Sequence, residues 1–567
     1  MSFEFAPYPF TATRHPARLP LLTQGAEPGR HPVVVIGAGP VGFCSAIGLA
    51  RHGVPVVLLE ADDSVCFGSR AICISRRSLE IAERLGALSG FLKIGLPWTG
   101  GRSYYRDAEV LHFEMPSDEN QKLPPMINLA QYSIEQILLD RAEQLAQAID
   151  IRWQTRLSGI TVRADGVELA VATPAGDYRI DADWVIAADG GRSFVRDALG
   201  LQLEGTSYEG RYVIVDILLD SARPTERLAY FDPPCNRGST VLVHKQPGNV
   251  WRIDYQLQDG EDPDAAIRPE NVLPRVTSLL DMMGEKGDWK PIWIGIYKAN
   301  ALTLPSYRHG RVLFAGDAAH LVPIFGVRGA NSGIDDADNL AWKLAFVIKG
   351  LASDSLLASY SVERVAATHE NLSYGTKSTE FMAPPSFAFE LMRTAVLGLA
   401  GRHPSLSSLI NPRQTSAITY EKSPLNVAGD DAAFTAGPQP GAVLAECPIT
   451  ITVDGVQREG YLTDLLSLPP APSFVALVFG DGGASDALHD LRQQLASRKV
   501  PFKTLSIAPK AGSGGATARD STGRLFGLYG AAPGTVYLVR PDGHVLGRWR
   551  TPRLAELLAA IDRALGH

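Results

Sequence analysis

A glycine-rich turn between two apolar strands constrains this chain more than any other feature. Val33 to Ile36 is a continuous β-branched run, which predicts a buried strand, and the sequence Gly37-Ala-Gly-Pro-Val-Gly42 follows it directly. A helix-compatible segment then leads to Gly53, which favours a helix end. A second apolar run, Val54 to Leu59, ends at Glu60. The sequence therefore begins its fold with a strand, a tight turn, a helix and a parallel strand.

This arrangement is typical of dinucleotide binding. The diphosphate must approach backbone N–H groups at a helix N-terminus, and side chains at Gly37 and Gly39 would obstruct the turn and the approach. Gly42 lets the helix pack closely on the strand, and Glu60 stands where a carboxylate can hydrogen-bond ribose hydroxyls. We predict that Gly37, Gly39, Gly42 and Glu60 bind a dinucleotide. This motif alone does not distinguish FAD from NAD.

Two further strand ends carry an aspartate. Asp189 follows the apolar run in Trp184-Val-Ile-Ala-Ala, and Asp317 follows the run in Arg311-Val-Leu-Phe-Ala-Gly. The carboxyl ends of strands are where open α/β sheets bind ligands, and a neutral ribityl chain needs an acceptor such as Asp317. Each Asp-Gly or Gly-Asp pair alone reads as a turn, whereas the ordered set of three strand ends is far more specific.

Length and composition limit the remaining choices. A chain of 567 residues suggests roughly three to four domains. The net charge of −7 gives no basic face for nucleic acid, and no apolar run approaches the roughly 18 residues of a membrane span. The five cysteines form no C-x-x-C pair and no zinc spacing, so we expect reduced thiols, no metal site and a cytoplasmic location. We read no signal peptide at the start of this sequence.

The order of predicted elements divides the chain into an α/β protein of several domains. Residues 96–129 and 206–300 are strand-rich, and a second α/β pattern begins after Gly437. We predict an N-terminal extension at 1–30, a dinucleotide domain from 31–95 with 130–205 and 301–380, a β-rich substrate domain from 96–129 with 206–300, a helical or linker segment at 381–436, and a separate domain at 437–567.

The motifs in this order resemble the single-component, FAD-dependent aromatic hydroxylases, or group A flavoprotein monooxygenases. The segments GAGPVG, SRAICISRRSLEIAERLG, ADGGRSFVR, RVLFAGDAAH and NSGIDDADNLAWKLA carry the resemblance over residues 31–380. The phenol hydroxylase and 3-(3-hydroxyphenyl)propionate hydroxylase-like branch is the most similar. The resemblance implies a Rossmann-type FAD-binding domain interleaved with the β-rich substrate domain.

The resemblance also implies roles for residues outside the glycine motif. Arg70 matches an arginine near the FAD diphosphate, Gln131 matches a glutamine that opens a helix, and Asp189 belongs to a motif linked to FAD and NAD(P)H. Asp317 would hold the ribityl or ribose part, and Pro323 would lie beside the flavin ring. These implied roles are expectations for the structure.

The loop after Asp317 departs from the family pattern. Val327 and Arg328 replace Gly and Gln, while Gly329, Ala330 and Asn331 remain as cofactor-binding candidates. Arg328 either supports charge on the flavin or substrate or is an exposed loop residue. Asn331 or Ser332 is expected to cap a helix over 332–349. The dipole of that helix would favour the anionic reduced flavin.

The activity implied is hydroxylation of a phenolic or related aromatic substrate with O2. NADPH or NADH reduces FAD, oxygen forms a flavin C4a-hydroperoxide, and the electron-rich ring attacks it. No second glycine-rich unit exists for the nicotinamide cofactor, which suggests transient binding as a co-substrate. The alternatives are a polyketide-type flavin monooxygenase, with hydroxylation or Baeyer-Villiger insertion, and a non-catalytic FAD-binding protein.

Substrate-side residues are expected in the β-rich domain. The candidates are Tyr230, His244, Arg252 and Tyr255, and we carry forward Arg252, His244 and Tyr255 as catalytic. Arg252 lies in WRIDY, which resembles a strand that faces the flavin in relatives. For His244 and Arg252 the alternative is a buried structural pairing.

The last 130 residues or so resemble the thioredoxin-like domain appended to this branch. The cues are Pro440-Gly-Ala, Tyr529-Gly and Pro533 before a strand, and only Cys447 is present, so disulfide exchange is not expected. We predict a thioredoxin-like α/β domain with a structural or subunit-contact role, in a homodimer.

Overall fold

The computed structural model describes residues 4–567 except 70, 119, 259, 324, 411–413, 471, 481–485 and 511–516, and except the side chains of residues 209 and 407. No helix within these described ranges is both long and apolar enough to cross a membrane.

The first strand begins at Ala26 and the last helix ends at Ala564. The strands are β1 (Ala26–Ile36), β2 (Val56–Leu59), β3 (Cys73–Ser75), β4 (Leu96–Trp98), β5 (Gly100–Tyr105), β6 (Ala108–Glu114), β7 (Met126–Asn128), β8 (Ile149–Arg152), β9 (Arg156–Val162), β10 (Val167–Ala172), β11 (Tyr178–Ala187), β12 (Glu204–Leu219), β13 (Arg227–Phe231), β14 (Thr240–Lys245), β15 (Val250–Gln256), β16 (Trp289–Thr303), β17 (Arg308–His309), β18 (Val312–Phe314), β19 (His320–Leu321), β20 (Pro448–Val453), β21 (Val456–Tyr461), β22 (Phe474–Phe479), β23 (Phe502–Ala508), β24 (Ala518–Arg519), β25 (Val536–Val539) and β26 (Val545–Trp549). The α-helices are α1 (Pro40–Arg51), α2 (Arg76–Leu85), α3 (Leu88–Ile94), α4 (Gln131–Glu143), α5 (Phe194–Ala198), α6 (Pro263–Ala266), α7 (Pro269–Met283), α8 (Gly329–Ile348), α9 (Leu356–Met382), α10 (Phe387–Ala400), α11 (Ser407–Ile410), α12 (Asp486–Ser497), α13 (Leu525–Leu528) and α14 (Leu554–Ala564).

The first sheet is mixed and contains the parallel pair β1 and β2 that the glycine motif predicts. Its main path runs β17-β18-β11-β1-β2-β8, and the four neighbours β18, β11, β1 and β2 are mutually parallel. Their apolar side chains are buried on both faces, as expected for parallel strands covered by helices. Helix α1 packs on this sheet and against α8, so the segment after Asp317 returns to the first motif.

The second sheet is antiparallel except for one pair. Its order is β19-β16-β12-β15-β14-β13-β5-β6, and only β13 and β5 among these described strands run parallel. Of the strands in segment 96–129, β4 and β7 form a separate three-stranded sheet with β3. The strands β5 and β6 share the eight-stranded sheet with those of segment 206–300, and α7 covers one of its faces through Val272, Val276 and Leu280. We call this sheet the substrate sheet.

A third sheet forms the C-terminal region, in the order β21-β20-β24-β23-β22-β25-β26. The strands β22 and β23 are parallel, and α12 and α14 pack on the sheet. Trp342 and Phe346 of α8 belong to the same apolar cluster as Phe474 and Trp549, so this region is packed onto the first one. An α/β fold is confirmed here, whereas the thioredoxin-like relationship stays a prediction.

Candidate active site

Four chain segments meet where the parallel strands of the first sheet end. Ile36 of β1 pairs with Ala187 of β11 and Leu59 of β2, and Ala187 pairs with Phe314 of β18. Four groups therefore follow strand ends that lie side by side at one edge of the sheet. They are the glycine turn, Glu60, Asp189 and the Gly316–Asp317 turn. This is the convergence that the three sequence motifs predict.

The glycines of the first turn are required for two different reasons. Gly37 has a φ of 97°, and a Cβ there would lie 2.6 Å from the Ala188 carbonyl oxygen. A Cβ on Gly42 would lie 1.8 Å from the Gly37 oxygen, so only glycine lets α1 approach β1. Nothing lies within 4 Å of the corresponding position at Gly39. The space in front of Gly39, at the N-terminus of α1, is therefore open to a ligand.

Glu60 holds the end of β2 against this turn. Its carboxylate accepts hydrogen bonds from the backbone N–H of Ala38 at 2.7 Å and of Asp62 at 2.9 Å. Burial raises the pKa of Glu60 although both N–H donors oppose that shift. The side chain predicted to bind ribose thus lies beside the diphosphate turn.

The Gly316–Asp317 turn rests on a buried ionic cluster. Asp336 of α8 accepts hydrogen bonds from the Gly316 N–H at 2.9 Å, His320 Nε2 at 2.7 Å and Arg364 Nε at 2.6 Å. Burial opposes ionisation, yet Arg364 and His320 together lower the pKa of Asp336. Asp317 itself is exposed at the tip of the turn. His320 therefore supports the turn through its contact with Asp336.

Asp189 also has a local structural partner. Its carboxylate accepts hydrogen bonds from Ser193 Oγ at 2.6 Å and from the Val195 N–H at 3.1 Å, and Ser193 is the N-cap of α5. Burial raises the pKa of Asp189. Its position at the shared edge agrees with the prediction, and its role toward FAD or NAD(P)H stays a prediction.

The loop after Asp317 corrects one sequence expectation. Arg328 is buried, donates from Nη1 to Asn371 Oδ1 at 2.8 Å and lies over the Tyr374 ring. The exposed-loop interpretation of Arg328 is therefore wrong, because the arginine joins the loop to α9. Pro323 is buried, and a Cβ added to Gly375 of α9 would lie 3.2 Å from it.

Helix α8 begins earlier than the sequence pattern indicated. It starts at Gly329, its N-cap position is Arg328, and no side chain caps it, so the cap predicted at Asn331 or Ser332 is wrong. Asn331 instead accepts from the Ser75 N–H at 2.9 Å and donates to the Cys73 carbonyl at 3.1 Å. The side-chain amide therefore joins α8 to β3. Gly329 and Ala330 form the first turn of α8.

Gln131 opens α4, as predicted, and closes the loop that precedes β3. Its backbone N–H donates to Ser69 Oγ at 2.9 Å, and its Oε1 accepts from the Ala71 N–H at 3.3 Å. Its Nε2 donates to the buried Glu135. Arg70 lies outside the described residues, so its predicted contact with the diphosphate stays a prediction.

One row of polar side chains crosses the substrate sheet. The cross-strand pairs are Asp216 with Arg252, Arg252 with His244, and His244 with Arg227. We call these four residues, on β12, β15, β14 and β13, the polar row. All four are buried.

The polar row contains one satisfied pair and two unsatisfied side chains. Arg252 donates from Nε and Nη2 to the two Asp216 oxygens, each at 2.8 Å. Within the described part of the chain, Nδ1 of His244 and Nε and Nη1 of Arg227 have no hydrogen-bond partner. The structural pairing considered for Arg252 is therefore real, while His244 and Arg227 leave buried polar atoms free.

Burial and neighbouring charges perturb several groups on this face. Burial, with Arg227 and Arg252 nearby, lowers the pKa of His244 well below its ordinary value, so the imidazole is neutral. Burial raises the pKa of Asp254, two residues beyond Arg252, to about 7. Perturbed groups of this kind concentrate at functional sites.

Tyr255 does not join this group. Successive side chains of a strand point to opposite faces, so Tyr255 lies on the face opposite Arg252 and Asp254. There it packs in the apolar cluster under α7, together with Tyr230 and Val241. The expectation that Tyr255 acts beside Arg252 and His244 is therefore wrong, because its side chain lies on the opposite face of the sheet.

Three contacts connect the polar face to the cofactor edge. The Phe325 ring, in the loop before α8, lies 5.4 Å from the ring of Tyr212 on the substrate sheet. Asn128 of β7 donates to the Lys245 carbonyl at 2.7 Å, and its Oδ1 lies 3.1 Å from Cys73 Sγ. Because Asn331 also binds Cys73, the start of α8 and the polar face border one region.

The residues at the strand ends fit a dinucleotide. An open glycine position at the N-terminus of α1, with no acidic residue in its first turn, suits a diphosphate. Glu60 and Asp317 supply acceptors for sugar hydroxyls at the same edge. The donor set is therefore complementary to FAD.

Sequence reasoning missed several residues of this region: Asp216, Arg227, Asp254, Asp336 and Arg364. A usable signal existed for one of them, because Asp254 has the same parity as Arg252 in WRIDY and must share its face. Arg227 becomes visible only through its pairing with His244, which depends on strand register.

Comparison with known proteins gives a family match. A family model described as FAD binding domain matches residues 30–373. The 6-methylpretetramide 4-monooxygenase of Streptomyces rimosus is 28% identical over 540 residues, which cover 94% of this chain and 93% of that protein. A 3-(3-hydroxy-phenyl)propionate/3-hydroxycinnamic acid hydroxylase of Mycolicibacterium smegmatis is 26% identical over 548 residues, with 94% and 93% covered.

Solved structures share the fold over nearly the whole chain. The flavin-dependent monooxygenase PieE, in complex with FAD and substrate, superposes with a TM-score of 0.80 at 22% identity and covers 95% of this chain and 100% of that one. Aklavinone-11 hydroxylase, in a ternary complex with FAD and aklavinone, gives 0.74 at 23% identity with the same coverage. The C-terminal region therefore belongs to the shared architecture.

Proposed function

The chain belongs to the FAD binding domain family, and from that premise we propose that it is an FAD-dependent monooxygenase. Its substrate would be a phenolic or related aromatic compound, with NADPH or NADH and O2 as co-substrates. The observation that carries the proposal is the polar face of the substrate sheet, which borders the loop leading from the Gly316–Asp317 turn to α8. Similarity over 94% of the chain to a 6-methylpretetramide 4-monooxygenase and to a 3-(3-hydroxy-phenyl)propionate/3-hydroxycinnamic acid hydroxylase supports it.

The cofactor would be held at the shared strand edge. The α1 N-terminus at Gly39 would bind the diphosphate, Glu60 the adenosine ribose, and Asp317 the ribityl chain. We propose that nine further residues complete the binding region: Gly37, Gly42, Arg70, Gln131, Asp189, Pro323, Gly329, Ala330 and Asn331. When bound, FAD supplies electron transfer from NAD(P)H and activation of O2.

Helix α8 contributes a favourable potential to this region. Its first turn contains no acidic residue, and its N-terminal N–H groups favour negative charge by about 0.3–2 kcal/mol. Asn331 fixes the start of the helix to β3, and this contact therefore fixes the direction in which the positive electrostatic potential of the helix N-terminus points.

The polar face would position the aromatic substrate and deprotonate its hydroxyl group. Arg252 is held by Asp216 in a fixed orientation, and neutral His244 offers Nδ1 as a hydrogen-bonding atom. Asp254 has a raised pKa of about 7, close to the value that suits a general base at neutral pH. We propose that the Asp254 carboxylate accepts the proton of a substrate hydroxyl, which makes the ring more electron-rich.

Turnover assays test the activity directly. The FAD-loaded protein is mixed with NADH or NADPH and a panel of phenols, hydroxybenzoates and hydroxyphenylpropionates, and hydroxylated product is identified by mass spectrometry. We expect at least one compound to accelerate NAD(P)H oxidation and to gain one atom from ¹⁸O₂. If the flavin bleaches with NAD(P)H in no condition, the non-catalytic FAD-binding alternative is favoured.

A polyketide substrate is the second candidate. It is favoured by the similarity to the 6-methylpretetramide 4-monooxygenase over nearly the full length of both proteins. A polycyclic phenol in the same panel distinguishes it, because ring hydroxylation and Baeyer-Villiger insertion place the new oxygen at different positions.

The assigned role of Asp317 has its own test. Asp317→Ala is expected to purify largely without yellow colour, since the variant lacks an acceptor for the ribityl hydroxyls. Asp197→Ala, at an exposed aspartate of α5, is the matched control and should retain its flavin. A yellow, fully active Asp317→Ala protein would refute the role.

Two broader expectations remain part of the proposal. Free cysteines support a cytoplasmic location, and exposed apolar residues such as Phe387 and Leu391 on α10 support the predicted homodimer. Light scattering on the purified protein measures the oligomeric state.

A further inference from the structure

Val327, in the loop that leads to α8, has a backbone conformation that its side chain disfavours. Its φ is 52°, in the left-handed region, where a β-branched residue is an outlier. The other described non-glycine residues with a positive φ are all polar or charged. Glycine, which the family pattern has at this position, would adopt the same φ without strain. Strain of this kind concentrates at functional sites, so the added side chain calls for an explanation.

The peptides on both sides of Val327 are fixed by hydrogen bonds. The Val327 carbonyl accepts from Asn331 Nδ2 at 2.6 Å. The preceding carbonyl, of Gly326, accepts from the Thr415 N–H at 2.9 Å. The following residue, Arg328, is bonded to α9. The surrounding structure therefore imposes the strained conformation and fixes the direction of the valine side chain.

The side chain of Val327 packs against a small apolar cluster, which we call the apolar wall. Its buried members are Ile72, Cys73, Trp98, Phe113, Met115 and Met126. Val327 itself is only partly buried, so part of its surface remains accessible at this wall. Within the described residues, the buried Nε1 of Trp98 has no hydrogen-bond partner, as expected for a wall that a ligand completes.

The apolar wall adjoins the polar face of the substrate sheet. Cys73 Sγ lies 3.1 Å from Asn128 Oδ1, and Asn128 donates to the Lys245 carbonyl at the end of β14. The same strand carries His244 of the polar row. Val327 therefore lies where the loop before α8, the apolar wall and the polar face meet.

We propose that Val327 is a specificity-determining residue whose side chain limits the width of the aromatic ring that the site accepts. A substituent on the ring edge facing this loop would collide with the valine methyl groups, whereas an unsubstituted edge would pack against them. The inference rests on the proposed function, since it concerns the substrate of that site. It favours single-ring phenols that are unsubstituted at this edge over polycyclic phenols.

Ligand binding to the FAD-loaded full-length protein tests the proposal without turnover. Phenol is compared with 2-, 3- and 4-methylphenol and with 2-naphthol by changes in flavin absorbance. In the wild type, 2-naphthol and at least one methylphenol should bind about 10-fold more weakly than phenol, because the fixed valine leaves no room for the extra carbon. The isomer that is rejected identifies the ring edge that faces Val327.

Variants at matched flavin content assign this preference to the valine. Val327→Ala and Val327→Gly should bind the rejected methylphenol about 10-fold more tightly relative to phenol, and glycine also suits the φ of 52°. Val327→Ile should reject the same isomer more strongly. Val456→Ala, at an exposed valine of β21, is the matched control and should keep the wild-type order of affinities.

Three results would overturn the proposal. One is a wild-type protein that binds phenol, the methylphenols and 2-naphthol equally. Another is a Val327→Ala protein that keeps the wild-type order of affinities. The third is a flavin that responds to none of these compounds in the wild type and in Val327→Gly. Because no NAD(P)H is present, failure of the turnover assay with every phenol would reject the proposed function without changing this order, whereas turnover with an unchanged order in Val327→Ala would reject the role of Val327 alone.

Discussion

Two clusters of buried charge in this protein differ in how completely they are satisfied. The polar row on the substrate sheet leaves atoms of Arg227 and His244 without partners. The second cluster consists of Lys343, Glu363, Arg540 and Asp542, which we call the charge network; it joins α8 and α9 to the strand end after β25. The polar row contains two arginines, one histidine and one aspartate, whereas the charge network balances two cations against two carboxylates, so the clusters differ in charge balance as well as in geometry.

The charge network pairs its ionic side chains completely. Arg540 donates to both Glu363 oxygens at 2.6 and 3.0 Å, and Lys343 donates to Glu363 at 2.6 Å. Asp542 accepts from Arg540 and from the Trp342 indole. None of the four side chains is exposed. Such a network holds the C-terminal sheet on the first region.

The comparison indicates where this protein gives up stability for function. A buried charge with all its partners contributes to a unique packing, whereas a buried charge without them costs stability until a ligand arrives. The polar row therefore has the properties of a binding site, whereas the charge network stabilises the packing of the C-terminal sheet on the first region.

Removal of one member of the charge network should produce the largest effect. Glu363→Ala leaves Arg540 and Lys343 without their shared carboxylate, and we expect a loss of about 3–5 kcal/mol in the free energy of unfolding. Urea denaturation followed by circular dichroism measures it. Arg553→Ala removes an exposed pair with Glu556 and should leave the urea midpoint unchanged. Equal midpoints for wild type and Glu363→Ala would contradict the structural role.

Removal of the unpaired arginine should have the opposite sign. Arg227→Met eliminates buried donors that lack partners, and we expect the substrate-free protein to gain about 1–3 kcal/mol. Arg152→Met is the matched control, since that buried arginine is fully paired with Glu27, and it should lose stability. If both variants lose stability equally, Arg227 behaves like a paired structural arginine, and the proposed difference between the two clusters is wrong.

Asp254, on the same face as the polar row, and Glu363 of the charge network should respond to pH in opposite directions. The pKa of Asp254 is raised to about 7, so between its ordinary 3.8 and 7 the folded state binds more protons than the unfolded state. Its contribution to stability therefore falls as pH rises in this window, by up to about 1.4 kcal/mol per pH unit. Arg540 and Lys343 overcome burial and lower the pKa of Glu363, whose contribution is lost as pH falls below its ordinary 4.5.

Asp254→Asn measures the first of these responses. The variant should match the wild type most closely near pH 4 and become progressively more stable than the wild type up to pH 7, in urea midpoints measured at each pH unit. Glu363→Gln should differ from the wild type less as the pH falls below 4.5. A constant difference between Asp254→Asn and wild type across this range would argue that Asp254 ionises normally.

The residues at the cofactor edge could be predicted from the sequence because each motif is formed by residues that are adjacent in the chain. Each motif is an apolar strand followed directly by a turn residue, and parallel strands bring such ends to one edge. Gly37, Gly42, Glu60 and the Gly316–Asp317 turn could therefore be placed before the structure was known. Asn331 shows the limit, because its bonds to Ser75 and Cys73 join segments about 256 residues apart.

The substrate side depends on information that a linear pattern does not contain. Arg227 is significant because its partners are missing, and that follows from the register of β13 against β14. Glu363 and Arg540 are 177 residues apart, and their pairing depends on how one sheet packs on another. The alternation of side chains along a strand can be predicted from the sequence, and it places Tyr255 on the face opposite Arg252 and Asp254.

Tyr255 therefore provides the smallest expected effect and a sharp check of the face assignment. Tyr255→Phe removes one hydroxyl under α7, and stability should change by less than about 0.5 kcal/mol, with NAD(P)H oxidation and substrate KM unaltered. His244→Ala, one strand away but on the polar row, should raise KM for the same phenol because an atom facing the ligand is lost. The pair is compared by steady-state kinetics at matched flavin content. A tenfold fall in turnover for Tyr255→Phe, with His244→Ala unaffected, would mean that the substrate lies on the α7 face of the sheet.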